Sequence, residues 1–143
     1  MPRYLVIAYQ TAENPALLQK LKELAEAAEG ARFVLLVPAT ASQHLKMVSV
    51  RESEVLAQEA VERARRRFHD EGIELAQVRV SDPNPIVAAT QELADAPRYD
   101  GIVVSTFPPG VSRWLKMDIV SRLERMSSIP VTHVVADSEP DES

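Results

Sequence analysis

The sequence predicts a doubly wound α/β domain in three layers, with a five-stranded parallel sheet between helices. Three observations carry this. Short apolar, β-branched runs alternate with segments of helical periodicity; the breaks between them are short and hold Asn-Pro starts and glycine stops; and strands that alternate with helices are joined by right-handed crossovers, which makes the sheet parallel. The 143 residues, 45% of them apolar, suffice for the core of one domain. That domain is expected over 1–136, followed by an acidic, frayed tail over 137–143.

Each element has its own signal. The run Tyr4-Leu-Val-Ile-Ala-Tyr9 suits a strand buried on both faces. Asn14 supplies an N-cap and Pro15 a preset first helical residue; Leu17, Leu18, Leu21, Leu24 and Ala28 then recur at helical spacing until Gly30. Phe33 to Val37 is the second buried strand. Ser49-Val-Arg-Glu52 has capping-box spacing, and Leu56, Ala60, Ala64 and Phe68 form a stripe ending at Gly72. Ile73 to Val80 alternates weakly, as an edge strand does. Asn84-Pro85 repeats the first helix start, and Pro97 closes the third helix. Ile102 to Val104 is the fourth strand, Ile119, Val120, Leu123 and Met126 turn a fourth helix toward the core, and Val131 to Val135 is the fifth strand. The connection from Pro38 to Val48 exceeds the two to six residues usual in such units, as a lid or an irregular segment would.

Composition narrows the chemistry. No cysteine is present, so disulfides, thiolate metal sites and thiol catalysis are excluded. The net charge of -5 argues against a nucleic-acid partner, and the basic run Arg63-Ala-Arg-Arg-Arg67 is diluted on its own helix by Glu59, Glu62, Asp70 and Glu71. No apolar run approaches the roughly 18 residues of a membrane span, and no secretory pattern is present, so no membrane partner and a cytoplasmic location are expected. His44, His69 and His133 have no metal-ligand spacing, and no metal site is expected. Serine catalysis lacks a nucleophile elbow, and no catalytic residue is assigned.

Ser81-Asp-Pro-Asn-Pro85, Tyr99-Asp-Gly-Ile-Val-Val104 and Ile129-Pro-Val131 stand in this order within the span Tyr4 to Val135, and together they resemble the universal stress protein family. Ser81-Asp-Pro-Asn-Pro85 is similar to the Gly-Asp-Pro segment that opens that family's third helix, Tyr99-Asp-Gly-Ile-Val-Val104 to its fourth strand, and Ile129-Pro-Val131 to its Cys-Pro-Val entry into the last strand. The resemblance implies the adenine nucleotide alpha hydrolase-like strand order 3-2-1-4-5 and a homodimer through the last strand, where Val131, Val134 and Val135 offer an apolar seam. Nucleotide-binding members carry Gly-x2-Gly-x9-Gly-Ser/Thr after strand four. Here Ser105 and Pro108 replace the first two glycines, and Met117-Asp118 stands near the final Gly-Ser. Tyr9 and Gln10 stand where the family's first strand ends in aspartate. The loop Pro108-Pro-Gly-Val-Ser-Arg-Trp-Leu115 resembles that of a divergent branch of the family, and the ordinary ATP motif is expected to be lost.

The loop after strand four remains the leading candidate site. Gly110, Val111 and Ser112 offer backbone amides, Ser105, Thr106 and Ser112 hydroxyls, and Arg113 a planar fork suited to an anion. The structural alternative is a stiff Pro-Pro-Gly turn with Arg113 paired to Asp118 or Glu124. If the fourth helix starts at Ser112, an anion would meet its positive end; if it starts at Asp118, that carboxylate caps the amides instead. Asp82 suits a turn and cap better than a ribose or metal contact. The function expected is a non-enzymatic universal-stress-type module that senses a small ligand or anion, with no assured cofactor. The alternative is an ATP- or AMP-binding protein, with slow hydrolysis as its enzymatic version, using Tyr9 or Val37 at adenine, Asp82 or Gln10 at ribose, and Ser105, Ser112 and Arg113 at phosphate.

Overall fold

The structure, a computed structural model, describes residues 2–8, 14–38, 50–81, 84–95, 99–106 and 118–135. In chain order these form β1 (Arg3–Ile7), α1 (Pro15–Ala27), β2 (Arg32–Pro38), α2 (Val50–Asp70), β3 (Leu75–Ser81), α3 (Pro85–Asp95), β4 (Gly101–Thr106), α4 (Ile119–Ser127) and β5 (Val131–Val135). All pairings are parallel, and the sheet order is β3-β2-β1-β4-β5. The expected fold and strand order are therefore present, with β3 at one edge. The long connection after Pro38, the Ser49 cap, Pro97 and the acidic tail lie outside the described residues.

Two helix starts and one helix stop follow the reasons the sequence suggests. Asn14 Oδ1 accepts from the Ala16 amide at 2.9 Å with Pro15 in the first turn. Asn84 Oδ1 does the same for Ile86 at 2.8 Å and Val87 at 3.3 Å. At the end of α2, Ile73 N–H donates to the Phe68 carbonyl at 2.9 Å and Gly72 N–H to that of His69 at 3.0 Å, with Gly72 at φ +77°. This is the six-to-one and five-to-two pairing that a left-handed glycine makes cheap. Helix α1 ends earlier than Gly30, at Ala27, where the Ala28 N–H closes on the Leu24 carbonyl.

Two apolar layers sandwich the sheet. Under α1 and α2, Val6, Phe33, Leu35, Val37 and Val103 meet Leu17, Leu21, Ala64 and Phe68. Under α3 and α4, Leu5, Ile7, Val34, Leu36, Ile102 and Val104 meet Ala88, Ala89, Ile119 and Leu123. Every residue of β4 is buried, as a central parallel strand requires. Met126 departs from the expected inward face: it is 40% exposed, and its sulfur sits 3.6 Å from the Thr90 hydroxyl on neighbouring α3.

Candidate functional site

The strand order reverses between β1 and β4, since the chain builds outward from β1 through β2 and β3 on one side and through β4 and β5 on the other. Open α/β sheets bind ligands beyond the strand ends at such a reversal. Register makes the two ends level: Ile7 pairs with Val104, so Ala8 and Ser105 follow side by side. Strand β4 ends in two hydroxyls, Ser105 and Thr106, which are 1% and 2% exposed.

Thr106 has a partner that chain spacing conceals. Its Oγ1 lies 2.8 Å from Nε2 of His133 on β5. His133 is half-buried, and burial holds its imidazole below the usual histidine range. Sequence reasoning dismissed this histidine because it considered only histidine-to-histidine spacing. The signal available was alignment of the two adjacent strands, which makes Thr106 and His133 diagonal neighbours.

Of the other expected site residues, Val37 is described and fully buried in the layer under α1 and α2. Tyr9, Gln10, Asp82, Gly110, Val111, Ser112 and Arg113 lie outside the described residues. The choice between two helix starts is informed at one of them: a helix does begin at Ile119, with Asp118 before it. Asp118 does not cap it as expected. Its backbone is left-handed at φ 58° and ψ 46°, its side chain makes no capping bond, and it is exposed.

A polar cluster missed by sequence reasoning lies under α3. Glu92, 4% exposed, accepts from the Tyr99 hydroxyl at 2.6 Å and from Arg79 Nη2 at 2.9 Å. Arg3 stacks its guanidinium 5.0 Å from the Tyr99 ring centroid. Burial, and then the bond to Glu92, pushes the Tyr99 phenol well above its ordinary range, so it serves as a donor and not as a base. This cluster ties β1, β3 and α3 to the segment entering β4, and its chemistry is that of a strut.

An open groove of about 850 Å³ runs between α2 and edge strand β3, lined by Val55, Glu59, Glu62, Arg63, Arg66 and Val80. Its mixed charges and lack of any expected site residue separate it from the β1–β4 crevice. Among the described residues no cluster of histidine and acidic side chains could hold a metal ion, and no helix is long and apolar enough to cross a membrane.

No family model matches the chain, and no curated protein matches it. Solved structures do. A universal stress protein from Archaeoglobus fulgidus aligns with a TM-score of 0.61 at 14% identity, covering 94% of this chain and 93% of that one. A universal stress protein family protein from Arabidopsis thaliana with AMP bound aligns at 0.59 and 13% identity, covering 98% and 95%. The Archaeoglobus fulgidus protein in complex with dAMP aligns at 0.58 and 17% identity, covering 94% and 97%. This chain therefore has the fold of the universal stress proteins.

Proposed function

We propose that the chain is a non-enzymatic universal-stress-type protein that binds a small anionic ligand beyond the ends of β1 and β4. The observation that carries this is the reversal of strand order at a point where β4 ends in two hydroxyl residues level with the end of β1. Ser105 at the end of β4 and Pro108 just beyond it stand where the family motif has glycines, which adds side chains, removes an amide and fixes φ at Pro108. Such a loop cannot wrap a triphosphate closely, so the ligand is phosphate, sulfate or a monophosphate, with Gly110, Val111, Ser112 and Arg113 as donors. Cytoplasmic location, a role in stress and a homodimer through β5 belong to the same proposal.

A second reading is favoured by one finding: proteins of this fold have been seen with AMP and dAMP. It retains nucleotide binding through Tyr9, Gln10 and Asp82 with altered phosphate contacts. The two separate in one experiment, in which purified protein is denatured and the supernatant examined for released nucleotide, while phosphate, AMP and ATP are each tested for a thermal shift. The first reading expects no nucleotide and a response to phosphate. Co-purified AMP, or a response to ATP above that to phosphate, would give the second reading precedence.

A further inference from the structure

Strand β3 is an edge of the sheet: among the described residues it pairs with β2 alone, so its other backbone edge is a template for a further strand. The strand holds neither proline nor lysine, and its one register shift against β2 lies before Gln77, which leaves Gln77 to Ser81 regular. Helix α2 packs on β3 and β2, and the groove of about 850 Å³ between α2 and β3 carries its charges in a fixed order, Glu59 and Glu62 and then Arg63 and Arg66. That order is its own complement when reversed. About a two-fold axis between Glu62 and Arg63, Glu59 of one copy lies opposite Arg66 of the other, and Glu62 opposite Arg63. The strand agrees on where this axis falls. Helix α2 ends at Asp70 and β3 begins at Leu75, so about seven to eight residues of helix at about 1.5 Å each and about three to four of strand at about 3.3 Å each cover the same distance, which sets Val78 level with the axis.

We propose that the edge of β3 and the groove beside it form an interface with a second copy of this chain, β3 meeting β3 and α2 meeting α2 antiparallel across a two-fold axis perpendicular to the sheet. Centred on Val78, the strand pairing sets Val78 opposite Val78 on the face under α2, and Gln77 opposite Arg79 on the other face, where Arg79 keeps its bond to Glu92. Arg63 is engaged within its own chain, so the register depends chiefly on Glu59 and Arg66, both exposed. Backbone hydrogen bonds along the short ladder hold the copies together. The exposed charge pairs are each worth little, and their part is to choose the register: a shift of one helical turn sets Glu59 opposite Glu62 or Arg63 opposite Arg66. This contact is independent of the β1–β4 crevice and of the β5 edge.

Association would be measured by sedimentation velocity on the full chain carrying Val135→Lys, which charges the opposite edge of the sheet and leaves β3 as the edge under test. A small and largely polar interface of this kind has a dissociation constant on the order of 100 µM, so a monomer at about 10 µM should become a dimer at about 500 µM. Glu59→Arg alone and Arg66→Glu alone each turn both Glu59–Arg66 pairs repulsive, and each should weaken association about tenfold. Mixed in equal amounts, the two variants regain both pairs in the heterodimer and should associate as tightly as their parent. Both positions are exposed, so the melting temperatures should match the parent's. A mixture no tighter than the single variants, charge reversals that leave association unchanged, or a parent that stays monomeric up to about 500 µM would each overturn the inference.

Discussion

Glu92 shows how a single carboxylate can be kept in an apolar layer. At 4% exposure its charge is tolerable only because Tyr99 and Arg79 both donate to it. Tyr99→Phe removes one donor without changing shape much, and we expect a loss of roughly 1.5–3 kcal/mol in urea unfolding, the range for a hydrogen bond to a charged group. His133 makes a pH prediction with a definite sign. Its folded-state pKa lies below the ordinary 6.5, so the unfolded chain binds more protons in that window. Without added anion, the His133 contribution to stability is present above pH 6.5 and is lost as pH falls through that value toward the folded pKa. His133→Gln should flatten the acid side of the melting-temperature profile, and an unchanged slope would remove this role. Neither residue's setting was legible in the sequence. Glu92 has the look of an ordinary helical glutamate, and Thr106 and His133 are 27 residues apart, brought together only by sheet register.

At the scale of elements, legibility followed local chemistry. Asn14-Pro15 and Asn84-Pro85 announced two helices because capping and a preset φ need no tertiary partner, and both asparagines do accept from the first-turn amides. Asn84→Ala should therefore cost about 1 kcal/mol, read as a lowered unfolding midpoint. Met126 was misjudged for the opposite reason: its place in the helical period suits the core, but packing against α3 leaves it at the rim beside Thr90. Gly101 illustrates a constraint that only packing reveals. A Cβ there would stand 2.9 Å from the Tyr4 ring, which stacks on Phe33 at a centroid distance of 5.6 Å. Gly101→Ala should cost about 1–3 kcal/mol as overpacking of a close site; a variant as stable as the parent would show that the ring pair can move.

The whole molecule is organised by a sheet whose centre was easier to foresee than its rims. Apolar runs specify β1, β2 and β4 as strands buried on both faces, and strand order followed from the family resemblance. The side proposed to bind a ligand was less legible because it depends on loops, where Pro, Gly and Arg fit both an anion pocket and a stiff turn. The outer edge of β5 is the other place where the fold bears on assembly. Among the described residues β5 pairs on one side only, with β4, so its other backbone edge is a template for another strand. The anticipated seam of three valines is thinner than its sequence suggests: Val134 is 7% exposed and packs in the layer under α1, Val131 is partly buried in the layer with α4, and Val135 is left 38% exposed. A homodimer through this edge would then be held mainly by backbone hydrogen bonds, with Val135 as its apolar contact. Val135→Lys places a charge on that edge while sparing the core, and it should convert a species of twice 15.8 kDa into one of 15.8 kDa in sedimentation equilibrium. A wild-type protein that sediments as a monomer at micromolar concentration, or a Val135→Lys dimer as tight as the wild type, would move assembly away from β5.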